Sequence, residues 1–318
     1  MWRSNELRPR PRPTRWGLLG VVLAVLGTVP YWLDNSYMVG VLILAYLYGV
    51  FASSWDFMSG QTGRENFGHA LFVGGGAYTA AFLNVKYGMS PWWSLPAGGV
   101  VAAVLGLVIG LPTLRLRGPY FALATLAAAT ILQRLTIILW EQTGGEEGIS
   151  DLMPLVSSPV AFYYLALGFL LVVAAILVLL ARSPWGLLLR SIRGDEAAAQ
   201  AAGVNITLHK IGALLVSAFF AGMGGALYAH YQLQVGPTMF SITVSITVVI
   251  MSYVGGIGSV YGAVGGAFVL TLMAEALRKV GEFRLLFYTL VLIAILFFLP
   301  RGLIAPLWRR LRDGGSAP

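Results

Sequence analysis

Residues 183 to 210 read SPWGLLLRSIRGDEAAAQAAGVNITLHK, a polar island between two long apolar runs. At its centre Asp195 to Ala202 favours helix and Gly203 closes it. Asp195 and Glu196 suit the positive end of a helix dipole, the alanines propagate helix, and glycine fits the left-handed residue that ends one. A membrane protein has few reasons to place a compact, capped helix on its basic side, so the stretch predicts a docking helix. An ordinary surface helix in a loop is the alternative.

The flanking runs set the class. With 58% apolar residues, 11% charged residues and a mean hydropathy of +0.78, the composition is that of a polytopic membrane protein. The net charge of +8 sits beside apolar runs and forms no continuous patch, which argues for topology and against nucleic acid. Cysteine is absent, which excludes disulfides, thiolate catalysis and cysteine metal sites. His69, His209 and His230 are too scattered to suggest a metal cluster. No small-x-small site follows the first apolar run, which ends in TVPYWLDNS, so that run is expected to stay as an anchor.

A hydrocarbon core about 30 Å thick takes roughly 20 apolar residues per helix. Ten candidates emerge, near 17–33, 37–58, 67–85, 91–114, 119–140, 159–181, 210–232, 239–257, 261–279 and 284–300. The predicted fold is all-α, about ten transmembrane or re-entrant helices with a short cytoplasmic helix. Residues 1–16 form a basic cytoplasmic segment, 17–303 the transmembrane region with its loop at 183–210, and 304–318 a basic tail. With the N-terminus inside, sixteen of twenty-one Lys and Arg residues fall on the cytoplasmic side and the acidic loop EQTGGEEGISD, 141–151, falls outside. RKVGEFR, 278–284, conflicts with this by falling outside; a re-entrant 239–257 moves it inside but pushes the C-terminus out.

Two glycine-dense stretches, GQTGRENFGHALFVGGGAY at 60–78 and YVGGIGSVYGAVGGAF at 253–268, lie in opposite halves of the chain. Such a pair points to repeated transporter halves with a path near their interface. Close helix packing is the competing reading, since Gly106/Gly110, Gly258/Gly262 and Gly262/Gly266 carry the small-xxx-small spacing. In the first stretch Arg64 and Glu65 fall at the membrane interface, which leaves Asn66 and His69 as the path candidates. Arg134 lies inside LATLAAATILQRLTIILW, 123–140, and either snorkels outward or serves a pathway.

Some chemistries lack their residues. A phosphate-binding loop needs lysine followed by serine or threonine, whereas Lys86, Lys210 and Lys279 precede Tyr87, Ile211 and Val280. This chain is not expected to bind ATP that way. Clustered carboxylates for acid–base work are missing, and Glu275 is read as nearly alone within the spans, which disfavours an enzyme and an ion-coupled carrier alike. The ion-coupled secondary transporter stays open as an alternative.

Six segments then occur in a known order: GQTGRENFGHALFVGGGAYTAA, LRLRGPYFALATLA, TGGEEGI, SIRGDEAAAQAAGVNITLHKIGALLVSAFFAGMGGALYAHY, SYVGGIGSVYGAVGGAF and LFYTLVLIAILFFLPRGL. From about residue 37 to 308 the chain resembles the branched-chain amino acid permease family of bacterial ABC importers, in its LivM-type subunit. The resemblance implies a homologous second permease subunit, two cytoplasmic ATPases that bind the ATP, a periplasmic solute-binding protein, and residence in the bacterial inner membrane. It implies coupling to the ATPase through Arg193, Asp195, Glu196, Ala198 and Gly203, as in the EAA loop, although Glu196-Ala197-Ala198 stands one residue further from Gly203 than is usual. It implies a path lined by Gly63, Asn66, His69, Thr125 and Thr130. It places Thr143, Gly144, Gly145, Glu146 and Glu147 against the binding protein. No metal or resident cofactor is expected. A permease of the same family for urea, amides or other amino acids is a nearby alternative.

Overall fold

The computed structural model describes residues 14–32, 35–116, 119–278, 290 and 293. Twelve helices and one two-residue ribbon follow in chain order. They are α1 (Thr14–Trp32), α2 (Ser36–Thr62), α3 (His69–Tyr87), α4 (Pro91–Thr113), α5 (Tyr120–Ile138), α6 (Trp140–Thr143), β1 (Ile149–Ser150), α7 (Pro159–Arg182), α8 (Pro184–Gly194), α9 (Glu196–Ala201), α10 (Ile206–Gln232), β2 (Gln234–Val235), α11 (Ile242–Gly255) and α12 (Val260–Ala276). A 3-10 turn, Pro237–Phe240, precedes α11.

Local chemistry sets most boundaries. Three helices start on Ser-Pro, at Ser90-Pro91, Ser158-Pro159 and Ser183-Pro184. Proline in the first turn forfeits an amide that has no helical partner anyway. Asn35, Asn205 and Ser259 cap α2, α10 and α12 by accepting from Tyr37 N, Leu208 N and Gly262 N. Gly63, at φ +72°, closes α2 in the left-handed conformation.

The all-α membrane class stands, while the count of about ten is not confirmed among the described residues. Among the described residues five helices are long and apolar enough to cross a membrane: α2, α4, α5, α7 and α10. The sixth unit is α11 with α12, bent by 114° at a four-residue break. Where two separate crossings were expected, there is a broken span or a re-entrant loop. Runs 17–33 and 67–85 do form α1 and α3, each 19 residues, but they are not among the five. Most of the run 284–300, most of RKVGEFR, residues 1–13 of the basic N-terminal segment and the tail 304–318 lie outside the described residues.

α2 runs through the centre, 78% of its membrane window buried, against α12, α7, α10 and α11. α5, at 22%, lies at the periphery. With little gain from moving apolar side chains between lipid and protein, contact depends on close approach. The α3–α4–α10 group shows this. A Cβ on Gly76 would fall 2.0 Å from Gly222 O, one on Gly225 2.0 Å from Val73 O, and one on Gly222 2.3 Å from Ala102 Cβ. Gly106 and Gly110 press on Ala218 and Leu214 of α10, and Gly262 and Gly266 meet the α11 backbone, as the packing reading requires. Gly258 departs from it: it lies in the break at φ +81°.

At the end where α10 finishes, Ile149 pairs with Val235 and Ser150 with Gln234. His230 Nδ1 donates to Met153 O at 2.8 Å, and its Nε2 lies 2.7 Å from Ser94 Oγ. Asn84 accepts from Met153 N and donates to Met89 O, both at 2.8 Å. These contacts tie α3, α4 and α10 to the loop before α7.

Gly76→Leu and Gly222→Val are each expected to cost about 1–3 kcal/mol or more by overpacking. A lowered thermal midpoint in detergent would bear this out. Gly168→Ala is the control and should leave the midpoint unchanged, because a Cβ there would meet nothing within 4 Å.

Candidate functional site

The polar island folds into two helices where one was expected. α8 buries Gly186, Leu189 and Ile192 and leaves Leu187 and Arg190 exposed. Its signal was present in sequence: a serine cap, Pro184 in the first turn, and apolar residues at helical spacing. Asp195, extended at φ −155° and ψ 111°, ends α8 and caps α9, its Oδ1 accepting from Ala197 N at 2.8 Å and Ala198 N at 3.0 Å. Gly203 follows at φ +87°. Glu196 and Ala199 turn inward, whereas Ala197, Ala198, Ala201 and Ala202 are exposed, so α9 shows solvent a face of methyl groups.

Glu196 anchors that helix. Arg64 grips it with Nε to Oε1 and Nη2 to Oε2, both at 3.0 Å, and Lys210 Nζ donates to Oε1 at 2.6 Å. Arg64 follows α2 and Lys210 lies in the first turns of α10, so one carboxylate joins α9 to two membrane helices. The Lys210 side chain is only 3% exposed and Glu196 is its neutralising partner. Burial raises the Glu196 pKa, but the hydrogen bonds from Arg64 and Lys210 outweigh it and hold the carboxyl below its ordinary 4.5.

Arg193, on α8, makes the second link. Its Nη1 donates to Gly60 O near the end of α2, and the same nitrogen borders Gly258 in the α11–α12 break. That break is latched to α2 from inside. Asp56 Oδ1 accepts from Gly258 N at 2.6 Å, and Gln61 Nε2 donates to Gly258 O at 3.1 Å. Asp56 is fully buried and corrects the expectation that Glu275 is nearly alone. Its signal was a carboxylate inside the apolar run 37–58, where an ionised group needs a partner. Glu275 itself sits 3.8 Å from Arg278 near the end of α12.

The expected path residues divide. Asn66 and His69 are buried, 1% and 0% exposed, in the turn from α2 into α3. Trp55 Nε1 donates to Asn66 O at 2.6 Å, Asn66 Oδ1 accepts from Gly68 N at 2.8 Å, and His69 Nε2 lies 3.2 Å from Ser54 Oγ. Thr125 joins them: a Cβ on Gly68 would sit 2.2 Å from Thr125 O, so the turn lies directly on α5. Gly63 lies instead against the Arg193 side chain. Thr130 is on the outer face of α5, exposed, one turn before an exposed Arg134. It is not brought to the buried group. Arg64 reaches α9 and Glu65 accepts from Tyr253 Oη on α11, so neither belongs to that group.

Thr143, Gly144, Gly145, Glu146 and Glu147 cluster at the opposite end of the molecule. α10 spans the distance with 27 residues, roughly 40 Å at 1.5 Å per residue. Gly144, Gly145 and Gly148 all have positive φ, and a Cβ on Gly148 would meet Val235 O at 1.9 Å. Thr143 Oγ1 donates to Thr136 O at 2.5 Å, and Gln234 Nε2 to Glu147 O at 3.3 Å. The Glu146 and Glu147 side chains are exposed.

A bundle of helices long and apolar enough to cross a membrane, with a sharply bent pair latched to its central helix, is that of a polytopic membrane protein. Residues 37–299 match the model of the family described as branched-chain amino acid transport system, permease component, and the chain belongs to that family. The high-affinity branched-chain amino acid permease LivM of Escherichia coli K12 is 30% identical over 93% of this chain and 77% of its own length. LivM of Salmonella typhimurium is 31% identical over 84% and 69%. A probable LivH permease of Methanocaldococcus jannaschii is 26% identical over 79% and 86%. No solved structure matches the chain.

Two outcomes are expected. Because the Glu196 pKa is depressed in the folded state, its contribution is complete above the ordinary 4.5 and is lost as pH falls through the lowered value. The difference in thermal midpoint between the protein and Glu196→Gln should therefore be constant near neutrality and shrink below pH 4.5. Asp56→Leu, which strands the Gly258 amide, should cost about 1–3 kcal/mol, read as increased proteolysis at the α11–α12 break.

Proposed function

We propose that this chain is the membrane subunit of an ABC importer for branched-chain amino acids, paired with a homologous permease subunit and driven by two separate ATPases. The observation that carries the reading is the mounting of α9. A six-residue helix with an exposed alanine face is held by Glu196 to α2 and α10, while Arg193 beside it touches the α11–α12 break. A partner that grips the alanine face therefore pushes on three membrane elements at once. Arg193, Asp195, Glu196, Ala198 and Gly203 take the coupling role: Asp195 and Gly203 shape the helix, Ala198 is on its contact face, and the two remaining charged residues pass the displacement inward.

The positive-inside pattern supports a cytoplasmic position for α8 and α9 in the bacterial inner membrane. Glu146 and Glu147 then face the periplasm, where a binding protein delivers the solute. Asn66, His69 and Thr125 lie where the α2–α3 turn meets α5, and Gly63 lies against Arg193, which borders the latched break; moving that break opens or closes the passage along them. The outer face of α5, where Thr130 and Arg134 interrupt an apolar surface, is assigned to the homologous subunit, since a charge facing hydrocarbon costs several kcal/mol by most scales, about 2.5–3.5 at the centre. The family relatives named for branched-chain amino acids support that substrate class. The described residues hold no charged cage for a zwitterion, so selectivity is assigned to the binding protein.

Reconstituted complexes test this. Gly203→Val and Arg193→Ala should leave ATPase subunits bound while uptake per ATP falls about tenfold, the effect of roughly 1.4 kcal/mol on the coupling step. Full coupling in both variants would sink the docking assignment. Uptake by the chain alone in liposomes, driven by an ion gradient, would favour a secondary transporter instead.

A further inference from the structure

A cleft of about 450 Å³ opens beside α9, between the end of α4 and the start of α10. Arg64, Arg115, Lys210, Glu196, Asn205 and Thr207 contribute to its walls. Its charge is unbalanced. Glu196 is shared between Arg64 and Lys210, and among the described residues Arg115 faces no carboxylate within ion-pair distance. Three cations against one carboxylate leave a formal surplus of two positive charges. The start of α10 adds to this, because Asn205 caps Leu208 N while no backbone carbonyl among the described residues takes the Ile206 and Thr207 amides. The opposite helix end does not cancel it: Arg64 Nη1 donates to Leu116 O just past α4.

The ligand that fits is a compact anion of more than one oxygen. Arginine forks and a helix start both favour phosphate, which takes several donors at once. Depth narrows the source. The cleft sits where α2 and α4 end and α10 starts; the ends of helices long enough to cross a bilayer fall near its headgroups, and basic pockets between such ends are suited to acidic headgroups. We propose that this cleft binds a phosphate group, supplied by an acidic phospholipid headgroup, with Arg115 as the residue committed to it. The occupant shares Arg64 and Lys210 with Glu196 and so touches the anchor of α9. This holds whether or not α9 docks an ATPase.

The full chain in nanodiscs tests it. Wild type, Arg115→Gln and Arg190→Gln are compared in phosphatidylcholine alone and in phosphatidylcholine mixed with phosphatidylglycerol. Arg190 is an exposed arginine of α8 outside the cleft and controls for general surface charge. Phosphatidylglycerol is expected to raise the thermal midpoint of wild type and Arg190→Gln. Arg115→Gln should need about fivefold more of it, the effect of one juxtamembrane cation. Inorganic phosphate titrated into phosphatidylcholine discs separates the sources. A response dependent on Arg115 only there assigns a soluble phosphate to the same site and overturns the lipid source. Equal losses in the two variants, or no Arg115-dependent response to either anion, overturn the site. So does loss of ATPase binding in Arg115→Gln without any anion response, which would make the cleft a protein socket.

Discussion

A helix that breaks inside a packed bundle must find partners for the backbone groups it frees, because its apolar neighbours supply none. In this chain that constraint falls on the turn between α11 and α12. Asp56 and Gln61, both on the central helix α2, meet the amide and the carbonyl of Gly258. Once the turn is pinned there, α12 lies along α2, α11 lies across both, and the carboxylate of Asp56 needs a counter-charge within reach. Arg193 arrives from α8 to border the same turn. The latch thus connects the buried centre of the bundle to the polar loop beneath it.

Of the loop's two helices, α8 is held by buried Leu189 and Ile192, whereas α9 buries only Ala199. α9 is too short to be stable alone, since isolated helices below about 12–15 residues are marginal in water. Its shape rests on the Asp195 cap and its position on Glu196. A carboxylate gripped by a forked guanidinium and an almost fully buried ammonium is directional, which a greasy contact is not. That directionality suits an element meant to transmit displacement. It also explains why the alanines face outward: with the anchor on one side, the other side is free to be small, flat and complementary to a partner.

Much of this is legible in the sequence. The cap, the alanine run and the closing glycine locate α9 to within a residue at each end, because helix starts and stops are local chemistry. Asn66 and His69 stand out as polar groups at the start of an apolar run, and both are buried there, since such a border is informative on its own. Asp56 is equally visible, one carboxylate in the run 37–58, yet its meaning depends on Gly258, 202 residues away. Arg64 reads as an interfacial residue, but nothing in the residues around it names Glu196 as its partner.

The sequence by itself determined the helical membrane class, the polar loop and its capped helix, because hydropathy and capping act over a few turns of chain. Tertiary structure alone decided that two expected crossings meet at a 114° bend, as a broken span or a re-entrant loop. It also decided that Thr130 stays outside the group formed by Asn66, His69 and Thr125, and that Arg64, Glu196 and Lys210 share one charge site. Those outcomes depend on which helices approach closely, and that is settled by glycine-to-backbone contacts between segments far apart in the chain, which no local pattern encodes.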